Sequence, residues 1–173
     1  MTEADRDRWD ARYQEGSHQS DSEPDALLTE ALQHAPARGR AIDLACGRGR
    51  HAIALARAGY DVEAVDISPA ALSAAREQAP GLEILWHAAD LDEFQLPGSA
   101  FAVVCCINFS DRALAARMVE SLAPGGILVF ATCPQEQSRF SPPPGEIPAW
   151  FASLEVLVHR EDERRIEFVG RAQ

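Results

Sequence analysis

The segment from Ala41 to Ser68 constrains the fold of this chain more than any other part of it. It contains an apolar run over residues 42–45, a glycine-containing turn, a helix over 48–58 that ends at Gly59, and a second apolar run over 62–65. Short apolar runs of this kind are typical of strands that are buried on both faces of a parallel sheet. The segment therefore predicts a strand, turn, helix and strand unit of an α/β protein.

The turn of this unit is suited to binding a ligand. Gly47 and Gly49 permit positive φ angles and leave room for a ligand to approach the backbone closely. The N-terminal N–H groups of the following helix face the same space. Asp66 follows Gly47 by nineteen residues, at the carboxyl end of the second strand, where a carboxylate can accept hydrogen bonds from a ribose diol. We therefore expect a ligand that carries a ribose.

The segment alone does not identify that ligand. Gly47, Gly49 and Ala52 also satisfy the spacing of the dinucleotide-binding fingerprint, with Asp66 as its acidic residue, and a turn that binds nothing is a further alternative. All sixteen basic residues are arginines. The chain therefore lacks the phosphate-binding lysine of P-loops, a Schiff-base lysine and the Tyr-x-x-x-Lys arrangement of short-chain dehydrogenases, which counts against an NAD-dependent reductase.

The rest of the chain continues the alternation of helices and strands. Ser68 and Pro69 have the residue types of a helix start, and Pro124 to Gly126 are expected to separate a helix from the next strand. We predict helices over 70–79, 111–122 and 146–152, and strands over 82–86, 101–107, 127–132, 154–159 and 165–172. The expected fold is one doubly wound α/β sheet of about seven strands, mostly parallel, with a C-terminal antiparallel hairpin. Within this single domain, residues 1–38 would form an N-terminal helical lid and cover segment, and residues 39–173 the cofactor-binding core.

Composition narrows the possible partners and the compartment. The net charge of -11 leaves no sizeable basic surface, which argues against nucleic acids and anionic membranes as partners. No apolar segment follows Met1, so we expect a cytoplasmic protein. We also expect a monomer or weak homodimer. The cysteines and histidines lack the paired spacings of metal ligands, and we predict buried thiols in a reducing compartment and no metal.

Several motifs, in this order, resemble those of class I S-adenosylmethionine-dependent methyltransferases. They are Asp43-Leu-Ala-Cys-Gly-Arg-Gly49, Val65-Asp-Ile-Ser68, Ala89-Asp-Leu91 and Leu122-Ala-Pro-Gly-Gly126. The expected terminal hairpin is similar to the antiparallel seventh strand of that family. Four further motifs narrow the likeness to the small tellurite-resistance-type and thiopurine-type branch: Trp9-Asp-Ala-Arg-Tyr13, Gly49-Arg-His-Ala52, Ile107-Asn-Phe109 with Arg112, and Pro143-Pro-Gly-Glu146.

The resemblance implies S-adenosylmethionine as cofactor, S-adenosylhomocysteine as product, and a set of cofactor-binding residues. These are Trp9, Asp43, Ala45, Cys46, Gly47, Gly49, Asp66, Ile67, Asp90, Leu91 and Asn108. Residues 45–47 would present their backbone to the methionine part, and Asp43 would brace the turn or meet the amino group. Asp66 would bind the ribose, Ile67 would pack on the adenine, and Asp90 with the Leu91 amide would bind the adenine edge. As alternatives, Asp66 could cap the next helix and Asp90 the loop that follows it.

Methyl transfer mainly requires alignment and exclusion of water, so no catalytic base is expected. Candidate residues on the acceptor side are Asn108, Phe109, Arg112, Arg12 and Tyr13. Trp9, Arg12 and Tyr13 share one face of a helix that could close as a lid, although Trp9 and Tyr13 could also simply dock that helix on the core. The expected activity is in-line transfer of a methyl group to a small-molecule acceptor; the alternative is a non-catalytic regulatory protein that binds S-adenosylmethionine or S-adenosylhomocysteine.

Overall fold

A computed structural model describes residues 3–14, 23–134, 142–143 and 145–173. Pro144, part of one of the motifs above, lies outside the described residues. The strands are β1 (Arg40–Leu44), β2 (Asp61–Asp66), β3 (Ile84–Ala88), β4 (Phe101–Ile107), β5 (Leu122–Thr132), β6 (Glu155–Glu161) and β7 (Ile166–Arg171). The helices are α1 (Glu3–Gln14), α2 (Ala26–Ala31), α3 (Arg50–Arg57), α4 (Pro69–Glu77), α5 (Arg112–Ser121) and α6 (Ile147–Trp150).

All seven of these strands form one sheet in the order β3-β2-β1-β4-β5-β7-β6. The first five strands in this order are parallel to one another, and β7 runs antiparallel to both β5 and β6. The predicted doubly wound sheet with a C-terminal antiparallel hairpin is therefore confirmed. The direction of winding changes between β1 and β4, and in open α/β sheets ligands bind at the carboxyl ends of the strands beside such a point.

Apolar clusters cover the two faces of the sheet. One contains Leu28 from α2 and Leu55 from α3, and the other contains Met118 from α5 and Phe151. Every residue of β4 is buried, as its unbroken apolar sequence predicts for a central strand. This packing holds the ends of β1 and β4, and the loops that follow them, at fixed positions.

The segment between α5 and the regular part of β5 is irregular, as predicted: Gly125 has a φ of 75°, and the register with β4 shifts between Leu122 and Ile127. The assigned bounds of the strand differ from the prediction. Strand β5 begins at Leu122 directly after the helix, so that Pro124 to Gly126 lie inside the strand. The Gly125 N–H donates to the Ala172 carbonyl, and the Ala172 N–H donates to the Gly126 carbonyl. Pairing with the end of the chain, which no local pattern reveals, moves the assigned start of the strand to Leu122, while regular pairing with β4 resumes at Ile127 as predicted.

The third strand also differs from its expected bounds. It begins at Ile84 rather than at residue 82, because the Leu82 N–H is bonded to the Ala79 carbonyl in the turn after α4. It is an edge strand that pairs with β2 alone, and its residues alternate between exposed and half-buried. In the described part of the chain, no helix is long and apolar enough to cross a bilayer.

Candidate functional site

The loop between β1 and α3 is a tight turn with three residues in the left-handed region. Ala45, Gly47 and Gly49 have φ angles of 54°, 54° and 77°. The Cys46 N–H donates to the Val65 carbonyl at 3.0 Å, and the Gly49 N–H donates to the Cys46 carbonyl at 2.9 Å. Gly49 is the N-cap residue of α3. The turn therefore directs its backbone and the N-terminus of α3 to the carboxyl ends of β1 and β2.

Asp66 links this turn to the end of β2. Its Oδ2 accepts a hydrogen bond from the Gly47 N–H at 2.7 Å, and its Oδ1 accepts one from the Ser68 N–H at 2.9 Å. Burial raises the pKa of Asp66, and hydrogen bonds from the backbone N–H groups of Ser68, Gly47 and Ile67 oppose that rise. The N-cap of α4 is Ser68, whose Oγ accepts from the Ala71 N–H. Asp66 therefore braces the turn, and its predicted role toward a ribose stays a prediction.

Asp43 lies behind the turn and is almost completely buried. Its Oδ2 accepts a hydrogen bond from the Ala52 N–H at 3.0 Å, while its Oδ1 has no hydrogen-bond partner among the described residues. Burial raises the pKa of Asp43 to about 7, and the negative charge of Asp66 adds to the rise. The Cys105 thiol contributes a hydrogen bond to this carboxyl group that opposes the rise. A buried acceptor atom without a partner is costly.

Two further polar side chains share this buried space. The side-chain atoms of Asp43, His51 and Cys105 that could act as metal ligands all lie within 4.8 Å of one another. Burial lowers the pKa of His51 to about 4, so its ring is neutral at pH 7, and its Nε2 has no partner within the described chain. A carboxylate, an imidazole and a thiolate are groups that commonly bind zinc. The sequence did not reveal the trio, because its members come from β1, α3 and β4, and the expected absence of a metal stays a prediction.

Helix α1 lies over the turn. A Cβ placed at Gly47 would come within 2.7 Å of the Tyr13 hydroxyl oxygen. Arg48 Nη2 donates to the Tyr13 carbonyl at 3.0 Å. The ring centroids of Trp9 and Tyr13 are 6.2 Å apart, and the Arg12 guanidinium lies over the Trp9 ring at 5.2 Å. Burial raises the pKa of Tyr13, so its phenol stays protonated.

Asp10 connects α1 to the start of α4, a contact that the sequence did not predict. Its Oδ1 accepts from the Ser68 hydroxyl and from the Ala70 N–H, the latter at 3.3 Å. A carboxylate at a helix N-terminus is stabilised by the unpaired N–H groups and the helix dipole. The contact joins residues almost sixty positions apart, so no local pattern could have revealed it.

The ring of Trp86 occupies the space beside Gly49. A Cβ placed at Gly49 would lie 2.6 Å from the ring. Gly49 is therefore required both for its positive φ and for the room that it leaves to Trp86. The sequence placed Trp86 on a strand but did not reveal this contact.

The loop after β3 carries the residues predicted for the adenine. Asp90 Oδ1 accepts from the Asp92 N–H at 2.9 Å, and the Asp90 carbonyl accepts from the Phe94 N–H, so Asp90 does cap its own loop. Leu91 is buried. Arg117 on α5 donates to the carbonyls of Leu91 and Phe94 and holds this loop against the domain. Ile67, predicted to pack on the adenine, is half-buried after β2.

The acceptor-side candidates lie at the end of β4. Asn108 is exposed with a φ of 68°, and its N–H donates to the Ala131 carbonyl at 2.8 Å. Phe109 packs partly against the apolar cluster on the α5 face. Arg112 is exposed and lies 3.8 Å from Glu146. Left-handed conformations of residues other than glycine are uncommon and cluster at functional sites. The structure thus places Asn108 and Phe109 directly beyond the central strand, and Arg112 one turn further on.

Comparisons with known proteins show similarity to methyltransferases. Residues 41–126 match the model of a family described as a methyltransferase domain. YqeM of Bacillus subtilis (strain 168), designated a methyltransferase, is 32% identical over 105 residues, or 55% of this chain and 42% of that protein. The chain spans less than half the length of the curated relatives that it matches.

Solved structures share the fold. TehB from Haemophilus influenzae superposes with a TM-score of 0.74 and 17% identity, over 87% of this chain and 63% of that one. A TehB-like S-adenosylmethionine-dependent methyltransferase from Corynebacterium glutamicum has a TM-score of 0.68 and 18% identity, over 99% of this chain and 100% of that one.

Proposed function

Because this chain belongs to the class I S-adenosylmethionine-dependent methyltransferases, we propose that it transfers a methyl group from S-adenosylmethionine to a small-molecule acceptor by in-line displacement. The observation that carries the proposal is the glycine turn after β1, with two buried aspartates behind and beside it. Asp43 has an oxygen without a partner, and Gly47 is hydrogen-bonded to Asp66. S-adenosylhomocysteine would be the product.

The charges of the site fit the cofactor. S-adenosylmethionine carries positive charge at its sulfonium and its amino group, and the described turn has Asp43 and Asp66 beside it with Asp10 close to Ser68. Opposite charges at short range in a poorly solvated site attract strongly. Loss of the methyl group removes the sulfonium charge, so the same acids would bind the product less strongly than the substrate.

Different side chains and backbone groups would bind the different parts of the cofactor. Each Asp66 oxygen accepts one backbone N–H and keeps a second lone pair, which a ribose hydroxyl can use. Ala45, Cys46 and Gly47 would face the methionine part. Ile67, Asp90 and Leu91 would enclose the adenine, with the loop of the last two already held by Arg117.

The cofactor supplies an activated methyl group, and the protein supplies alignment and exclusion of water. Trp9 and Tyr13 on α1 would cover the methionine end, where Tyr13 already lies over Gly47. Asn108, Phe109, Arg112 and Arg12 would face the acceptor.

A small acceptor is favoured because α1 covers the turn and because the net charge of -11 disfavours nucleic acids and anionic membranes. We also propose a cytoplasmic protein that acts as a monomer or weak homodimer. Its cysteines are free thiols, and Cys46, Cys105 and Cys106 are buried, as suits a reducing compartment.

The test combines binding with turnover. Calorimetry with S-adenosylhomocysteine measures affinity for the wild type and for Asp66→Ala. Release of S-adenosylhomocysteine from S-adenosylmethionine is then followed with a panel of thiols, amines, hydroxyl compounds and metalloid oxyanions. We expect binding that Asp66→Ala abolishes and turnover with at least one class of acceptor. Binding without turnover on any acceptor would favour a regulatory binder, and absence of binding would overturn the proposal.

A further inference from the structure

Arg48 stands between the two glycines of the turn and has an unused hydrogen-bond donor. Its Nη2 donates to the carbonyl of Tyr13 at 3.0 Å. Its Nε is buried and has no hydrogen-bond partner in the part of the chain that the structure describes. The side chain as a whole is half-buried. A buried N–H group of a charged side chain is costly to leave unpaired, which points to a ligand that completes it.

The orientation of the guanidinium indicates the type of ligand. Nε and Nη2 lie on the same edge of the planar group, and this edge pairs with both oxygens of a carboxylate. The charge of Arg48 is also felt at the Tyr13 phenol, whose pKa it lowers against the effect of burial. The free Nε–H group therefore lies between α1 and the glycine turn. The negative charges of Asp43 and Asp66 reach the same space, since both raise the pKa of Tyr13.

We propose that Arg48 binds the carboxylate of the methionine part of S-adenosylmethionine; this inference rests on the proposed function. The amino-acid end of the cofactor carries one positive and one negative group. Asp43, behind the turn, matches the positive group, and Arg48, whose guanidinium lies between the turn and α1, matches the negative group. The neighbouring Arg50 is directed elsewhere, since its guanidinium lies 4.0 Å from Asp25.

Binding through Arg48 would also couple the cofactor to α1. The Nη2 group that holds the Tyr13 carbonyl belongs to the edge that would meet the carboxylate. A bound carboxylate would fix the guanidinium, and the fixed guanidinium would hold the C-terminal end of α1 over the turn. Recognition of the carboxylate and closure of the helix would thus depend on the same side chain.

The experiment compares two ligands and three variants by calorimetry. The ligands are S-adenosylhomocysteine and its decarboxylated analogue, which lacks only the carboxylate. The variants are Arg48→Met, Arg48→Lys and, as a control, Arg57→Met, which changes an exposed arginine at the end of α3. A hydrogen-bonded charge pair corresponds to about a 10- to 100-fold change in affinity.

In the wild type, we expect the decarboxylated analogue to bind about 10- to 100-fold more weakly than S-adenosylhomocysteine. Arg48→Met should weaken the binding of S-adenosylhomocysteine by a similar factor and leave the affinity for the analogue nearly unchanged. Arg48→Lys should restore part of the difference, and Arg57→Met should behave as wild type.

An equal loss for both ligands in Arg48→Met would show that Arg48 only supports the turn or the helix, and would overturn the inference while the proposed function stands. Equal affinities of the two ligands for the wild type would overturn it as well, even if Arg48→Met failed to fold. A wild type that binds neither ligand would overturn both the inference and the proposed function.

Discussion

Replacing Asp43 with asparagine should stabilise the protein at pH 8 and weaken the binding of S-adenosylmethionine. An asparagine carbonyl can still accept the hydrogen bond from the Ala52 N–H. Its amide group adds a donor in the buried space that residue 43 shares with His51 and Cys105. The substitution also removes a carboxyl group that burial makes difficult to ionise.

The magnitude follows from the pKa of Asp43, which burial raises from 3.8 to about 7. One pKa unit corresponds to about 1.36 kcal/mol, so ionising this group in the folded protein costs about 4 kcal/mol. Between these two values the folded state binds a proton that the unfolded state lacks. The contribution of Asp43 to stability is therefore fully present below pH 3.8 and is lost as the pH rises to about 7, with a slope of up to about 1.4 kcal/mol per pH unit.

Urea unfolding at pH 5, 6, 7 and 8 measures this effect. The free energy of unfolding of Asp43→Asn, minus that of wild type, should rise by about 1.4 kcal/mol from pH 5 to pH 6 and level off above about pH 7. Asp61→Asn, which changes an exposed carboxylate at the start of β2, should parallel the wild type at every pH. A difference between Asp43→Asn and wild type that does not change with pH would refute the reasoning. Since the ionised carboxylate attracts the cationic cofactor, wild-type affinity for S-adenosylmethionine should also rise as the pH increases through 7.

Three further substitutions test the site. Asp66→Asn weakens the hydrogen bonds that this carboxylate accepts from the N–H groups of Gly47 and Ser68. The free energy of unfolding should fall by about 2–3 kcal/mol, and calorimetry should detect no binding of S-adenosylhomocysteine. An unchanged free energy of unfolding together with unchanged affinity would contradict this. Asp10→Ala releases α1 from the start of α4 and should speed cofactor dissociation in stopped-flow experiments, with a stability loss of only about 1 kcal/mol. Gly49→Ala should lower the melting temperature more than Gly59→Ala, because both glycines have positive φ but only a Cβ at Gly49 meets the Trp86 ring.

Most of the fold could be predicted from local sequence patterns. The apolar run at residues 101–107 corresponds to the fully buried β4, and Ser68 is the N-cap that its residue type predicts. The family model over residues 41–126 supports the methyltransferase resemblance on which the cofactor prediction rests, and TehB shares the fold. The assigned start of β5 differs from the prediction: pairing with the chain end places it at Leu122, although Pro124 to Gly126 interrupt the register with β4 as proline and glycine usually do.

The site could be predicted only where its residues follow one another along the chain. The turn residues and Asp66 were found because their spacing is regular within one structural unit. Asp10, Trp86 and Arg117 were not found, because each contributes through a contact with a distant segment. The role proposed for Arg48 could not be predicted for another reason. An arginine between two glycines matches no sequence pattern, and the role follows only from the unpaired Nε in the structure.

The two helices that the structure describes before residue 38 are held in different ways, which bears on the proposed lid. Leu27 and Leu28 of α2 are fully buried in the core, and their removal would expose apolar surface. Trp9 and Tyr13 of α1 belong to neither apolar cluster of the described residues. Polar contacts attach α1 at the start of α4 and, through Arg48, at the glycine turn. These few part-buried polar contacts contribute less than the burial of two leucines, so α1 can separate from the domain at a lower cost than α2. Its attachment points are the segments assigned to the ribose and the methionine part, so opening of α1 would expose the cofactor while the sheet stays intact.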